Sequence, residues 1–154
     1  MKLDIHLEER SRRDLEMALR VAPEKTVKGI RNWVNRTAIR TSETARNEAP
    51  YDKGHLKQNI HSKVAVNGLE ATVMPTPKYA LYVHDGTGIY GPKKRPITPK
   101  RGKVLAWESG GQMHYARSVK GIRPNKYMDR AYKAVKPEAE RDAIKTLDQI
   151  VRSI

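Results

Sequence analysis

The sequence predicts an α+β fold, with a small antiparallel sheet packed against a long helix and a C-terminal helix, and a long basic loop rich in Pro and Gly. Three observations carry that expectation. Apolar residues recur at three- and four-residue steps from about 24 to 48, and again from about 126 to the end. Two-residue alternation flanks Asn67-Gly68 on both sides. Between these regions, Gly86, Gly88, Gly91, Pro92, Pro96, Pro99 and Gly102 leave no room for a periodic element. A chain of 154 residues suits one domain with a real core, so residues 1–154 read as a single domain with an extended loop at about 86–102.

In chain order, Lys2-Leu3-Asp4-Ile5-His6-Leu7 alternates and predicts a short strand. Ser11 offers a helix cap, and Leu15, Ala18 and Leu19 form the apolar stripe of the helix it would begin. Pro23 interrupts that helix or starts the next. From about Glu24 to Glu48, Val27, Ile30, Val34, Ala38, Thr41 and Ala45 mark one helical face. Ala49-Pro50 ends it, because the residue before a proline is pushed out of the helical region. Asn67-Gly68 is a favoured type I′ turn, and folding about it pairs Val66 with Leu69, Val64 with Ala71 and Ser62 with Val73. A second hairpin follows the loop, with Val104, Leu105 and Trp107, then Ser109-Gly110-Gly111, then Met113 and Tyr115. In the last helix Met128, Ala131, Tyr132, Val135, Ile144, Leu147, Val151 and Ile154 share the period, and Pro137 is expected to kink or restart it.

Composition excludes several functions. No cysteine means no disulfide framework, no Cys-based zinc site and no thiol nucleophile. Residues 1–20 carry charges throughout, unlike a signal peptide, and no apolar run approaches a membrane span. The chain therefore reads as soluble, made in the cytoplasm and without a membrane partner. The net charge of +14 is unevenly spread. Residues 87–126 hold ten Lys or Arg (Lys93, Lys94, Arg95, Lys100, Arg101, Lys103, Arg117, Lys120, Arg123 and Lys126) against the lone acid Glu108. Such a field predicts an anionic neighbour, either nucleic acid or an acidic protein surface. With Phe absent, aromatic contacts fall to Tyr and Trp, whose polar tips suit surfaces exposed first and buried later.

No candidate chemistry reaches a complete site. Gly86-Thr87-Gly88-Ile89-Tyr90-Gly91 matches G-x-G-x-x-G, but the proline that follows forbids the helix a dinucleotide site needs. His6, His55, His61, His84 and His114 lack metal-ligand spacing. His84-Asp85 resembles a base and its orienting group, but no nucleophile is recognisable, and adjacent side chains rarely point together. Asn35-Arg36-Thr37 fits a glycosylation sequon but lies within a predicted helix. The run Pro92-Lys93-Lys94-Arg95-Pro96 allows phosphate contact, though little aromatic interleaving accompanies it. No cofactor, metal or catalytic residue is expected.

Three stretches, in order, resemble a tail-component family of long-tailed bacteriophages, described as minor tail, tail-completion or head–tail joining proteins. Ala49-Pro50-Tyr51-Asp52-Lys53-Gly54-His55-Leu56-Lys57-Gln58-Asn59-Ile60 is similar to the family pattern A-P-x-x-T-G-x-L-x-x-S-I. Tyr79-Ala80-Leu81-Tyr82-Val83-His84-Asp85-Gly86-Thr87-Gly88 is similar to Y-A-x-Y-V-E-x-G-T-G, and Arg123-Pro124-Asn125-Lys126-Tyr127-Met128-Asp129-Arg130-Ala131 to R-P-x-x-F-h-x-x-A, where h is apolar. Lys53, Asn59, His84 and Tyr127 depart from the pattern while the spacings survive. The resemblance spans about residues 3 to 150.

The resemblance implies a non-enzymatic virion protein of the neck or upper tail. It would assemble in the host cytoplasm as a ring, six-fold or twelve-fold, between the head connector and the tail-tube or tail-terminator proteins. Non-specific DNA contact is compatible with that role, and a basic nucleic-acid-binding protein is the alternative. Tyr90, Lys93, Lys94, Arg95, Lys100, Arg101, Trp107 and Tyr115 are the expected subunit or partner contacts. Pro50, Gly54, Leu56, Ile60, Tyr79, Tyr82, Gly86, Thr87, Gly88, Pro124, Tyr127 and Met128 are the expected fold-determining positions.

Overall fold

In the computed structural model, helix α1 (Glu24–Glu48) is the element around which the first part of the fold is arranged. Residues 3–4 and 24–152 are described. The helix predicted after Ser11 and the remainder of the first strand lie outside them.

The buried face of α1 carries Thr26, Ile30, Val34, Thr37, Ala38, Thr41, Ser42 and Ala45. That is the predicted stripe except for Val27, which is half-buried, and it is widened by Thr26, Thr37 and Ser42. Two of them bond within the helix: Thr41 Oγ1 donates to the Thr37 carbonyl at 2.8 Å, and Ser42 Oγ to the Ile39 carbonyl at 2.7 Å. The helix ends as expected, with the Ala49 N–H reaching the Ala45 carbonyl just before Pro50. Pro50 itself is exposed.

A short helix α2 (His55–Gln58) follows Gly54, whose φ of 77° turns the chain back toward the core. Leu56 and Ile60 are buried there, and Arg46 donates twice to the Ile60 carbonyl, at 3.0 and 2.8 Å. Strands β1 (Leu3–Asp4), β2 (Ile60–Val64) and β3 (Ala71–Pro75) form an antiparallel sheet in the order β1-β3-β2. Central β3 places Val73 in the core, opposite both Leu3 and Ser62.

The β2–β3 register matches the sequence expectation, with Ser62 opposite Val73 and Val64 opposite Ala71. The turn does not. The ladder closes at Ala65 and Glu70, the Gly68 N–H donates to the Ala65 carbonyl, and Asn67 stays out of the positive-φ region that type I′ requires. Two contacts favour this wider loop. The Asn67 side chain accepts from the Leu69 N–H at 2.9 Å, and Arg31 on α1 donates to the Asn67 carbonyl at 2.9 Å. Val66 is consequently exposed instead of paired with Leu69.

Helix α4 (Tyr127–Val151) runs antiparallel to α1. Tyr127, Met128, Ala131 and Val135 are buried. Farther along, Trp33 Nε1 donates to the Ala139 carbonyl at 3.1 Å, and Arg40 pairs with Glu138 at 2.7 Å. Arg130 meets Glu48 at 2.6 Å at the other end. Two expectations need correction. The helix does not restart at Pro137, which lies inside it, and Ile144 and Leu147 are exposed at 60 % and 49 %. The face turned toward α1 in that half carries Ala139, Asp142 and Thr146. Tyr132, also expected in the stripe, is exposed at 37 %, and after Val135 the hydrophobic stripe and the contact face part company.

The chain divides into two compact units. The elements above make up one, and Pro77–Lys126, inserted between β3 and α4, makes up the other. Together they give an α+β architecture. Ile60→Ala is expected to destabilise the first unit by about 2–5 kcal/mol, because Ile60 is fully enclosed. Equilibrium denaturation should show a lower midpoint with little change in slope.

Candidate interaction surface

The Pro77–Lys126 unit is assembled from short pieces that hold one another by backbone contacts. Helix α3 (Ala80–Asp85) gives way at Gly86 to a 3₁₀ turn (Gly88–Tyr90). Residues 119–122 pass alongside this turn. The Thr87 and Ile89 N–H groups donate to the Ile122 and Lys120 carbonyls, and Thr87 Oγ1 accepts from the Ile122 N–H at 3.0 Å. On the opposite edge, Ile97 and Val119 exchange both of their backbone hydrogen bonds.

Glycine makes this crossing possible. A Cβ on Gly88 would overlap the Lys120 carbonyl, and one on Gly121 would overlap the Thr87 carbonyl. Both residues also sit at positive φ. The G-x-G-x-x-G run is therefore a site of close backbone approach. Gly121 belongs to it, although nothing in the sequence around it forms a motif.

The end of α3 is fixed from the same side. The Asn125 and Lys126 N–H groups donate to the Val83 and His84 carbonyls, at 3.0 and 3.2 Å. Lys126 Nζ lies 2.8 Å from Asp85 Oδ1, and so does His84 Nδ1. His84 and Asp85 do converge, contrary to the expectation for adjacent side chains. At 2 % exposure His84 lies almost entirely inside, and Asp85 is shared with a lysine. The hydrogen bond from Lys126 first, then that from His84, holds the Asp85 carboxyl below the usual carboxylate range.

From this base project the loop and a two-stranded ribbon, β4 (Leu105–Ser109) and β5 (Gln112–Ala116). Gly110 and Gly111, both at positive φ, form the two-residue turn. Nearly every ribbon residue is exposed. Trp107 lies opposite His114, and their rings stack at 5.5 Å. Tyr115 lies opposite Ala106 and Met113 opposite Glu108, so Tyr115, Met113 and Glu108 share the other face. The two aromatic contacts expected from sequence, Trp107 and Tyr115, thus occupy opposite faces.

The loop and α3 enclose an open groove of about 640 Å³ with a mostly apolar lining. Leu81, Tyr82, Pro92, Pro96 and Ile97 line it, together with Lys93, Arg95, Lys100 and Asp85. Of the expected contacts, Lys93, Arg95 and Lys100 come together here. Lys94 and Arg101 are exposed outside the groove, and Tyr90 lies beneath the Arg123 guanidinium, 5.4 Å from its ring centre. Tyr79 and Tyr82 are surface side chains, at 42 % and 58 % exposure. Thr87 and the adjoining glycines sit in the crossing, and Pro124 sits against Gly86. Met113 was read from sequence only as a residue of the second hairpin, and Leu81 and Ile97 were not expected as contacts, since neither belongs to an element long enough to show a period.

Among the described residues no three His, Asp or Glu side chains are grouped to hold a metal, and no helix is long and apolar enough to cross a membrane. No known protein family, curated protein or solved structure matches the chain.

Two outcomes follow from the crossing and its cap. Gly88→Ala adds about 1–2 kcal/mol of backbone strain to the overlap with Lys120. Amide exchange at Thr87, Ile89 and Val119 should quicken, while the amides of α1 keep their rates. Because the folded Asp85 carboxyl titrates below its unfolded counterpart, its stabilisation is complete above a pH of about 4 and is lost as pH falls through the lowered value. Asp85→Asn should therefore lower the thermal midpoint at neutral pH and flatten its decline on acidification below pH of about 4.

Proposed function

We propose that this protein is a non-enzymatic structural component of the neck or upper tail of a long-tailed phage, assembling as a ring between head connector and tail tube. The observation that carries the reading is the exposed ribbon with its basic, groove-forming loop. A two-stranded ribbon is marginal alone in water, and this one leaves Trp107, Met113 and Tyr115 at 41 %, 53 % and 67 % exposure. Met113 and Tyr115 share one ribbon face as neighbouring exposed apolar groups, which supports an interaction surface there. The similarity of the three motifs to phage tail components supplies the kind of assembly. A ring arises when one patch meets a different patch on the next copy around a closed axis.

Deleting the gene from a phage that carries it should yield DNA-filled heads and separate tails, or tails of abnormal length, by negative-stain imaging. Intact infectious particles would remove the assembly role. A free nucleic-acid-binding protein is the second reading, favoured by Lys94, Arg101 and Lys103, which are exposed outside the groove. It requires DNA affinity that falls steeply with salt, with a log–log slope near −0.9 per phosphate contact. Assembly alone does not require such binding.

A further inference from the structure

Two features of the Pro77–Lys126 unit have complementary chemistry. The groove is mostly apolar, and Lys93, Arg95 and Lys100 give it a positive surplus over Asp85, which Lys126 already engages. The ribbon face bearing Met113 and Tyr115 also bears Glu108, the sole acid between residues 87 and 126. Glu108, Lys93, Arg95 and Lys100 make no ion pair with one another or with any other described residue in the isolated chain. Each side therefore presents exposed apolar surface beside a charge of opposite sign to the other.

We propose that the groove of one copy seats the ribbon of a second copy, with Met113 and Tyr115 entering the apolar lining and Glu108 meeting Lys93, Arg95 and Lys100. This contact rests on the assembly reading above and names the surfaces that make it. A tyrosine brings about 150–250 Å² of buriable surface, and methionine adapts to an irregular lining. Carboxylate–guanidinium pairing between Glu108 and Arg95 would fix the register. Groove and ribbon are different patches of one chain, so the contact is heterologous and repeats from copy to copy until the rotation closes it. The Trp107–His114 face stays on the outside of that contact.

The natural absence of cysteine allows a direct test in the full chain. Ser109→Cys is placed at the ribbon tip and Thr98→Cys in the groove, and a short bismaleimide is added at the highest soluble concentration. Mixing the two single variants should give a cross-linked dimer, the double variant should give a ladder, and neither single variant alone should react with itself. Glu108→Arg should abolish the cross-link, and combining it with Arg95→Glu should restore it. If the chain associates in sedimentation but these cysteines do not cross-link, the contact is wrong while an assembly role survives. A chain that remains monomeric and uncross-linked also overturns the contact and leaves the groove to an acidic partner of another kind. Cross-linking alongside normal particles in the gene-deleted phage would uphold the contact and remove the phage role.

Discussion

A two-stranded ribbon with solvent on both faces cannot hold its own position, so the placement of every outward-facing group depends on the backbone crossing at its base. There the Thr87–Ile89 segment and Ile97 bind opposite edges of residues 119–122. These bonds tie the start of the loop, its middle and the return of the chain into one frame. Side chains contribute little to that frame, because the strands meet where a Cβ would collide. The geometry is set by backbone hydrogen bonds, and the apolar side chains nearby remain free to face outward. The same constraint forms the groove, since the loop arches between two fixed points.

The other unit follows the opposite rule. Small residues on α1, chiefly Ala38, Thr41 and Ala45, let other elements pack closely against it. Tyr127, Met128, Ile60 and Val73 supply bulk from around it. Ion pairs along the α1–α4 contact, such as Arg130 with Glu48, are partly exposed and add register more than stability. One unit thus buries its apolar residues, and the other displays them.

Much of the first unit was legible in the sequence because it obeys a period. The bounds of α1 and the pairing of Ser62 with Val73 followed from spacing and turn chemistry, whereas Leu56 and Ile60, both buried, were marked only by the motif resemblance. The departures came where a long-range contact outweighed a local rule. Arg31 reaches Asn67 from 36 positions away and favours a wider turn. Trp33 and Arg40 bring polar and small positions of α4 toward α1, which leaves Ile144 and Leu147 outside. In the second unit only the ribbon was readable, through its alternation and its Gly110-Gly111 turn. Helix α3 is too short to show a period. Neither the groove nor the joining of Lys126 to the His84–Asp85 pair was accessible, because each depends on contacts between segments distant in sequence.

The central claim is that the surface of the Pro77–Lys126 unit exists to be covered by assembly. Hydrogen–deuterium exchange of the isolated chain, compared with the same chain in assembled particles, tests it most directly. The account predicts strong new protection over Leu105–Ala116 and around Lys93–Lys100, with the amides of α1 changing little. Particles that contain the protein while both segments exchange as fast as in the isolated chain would contradict it.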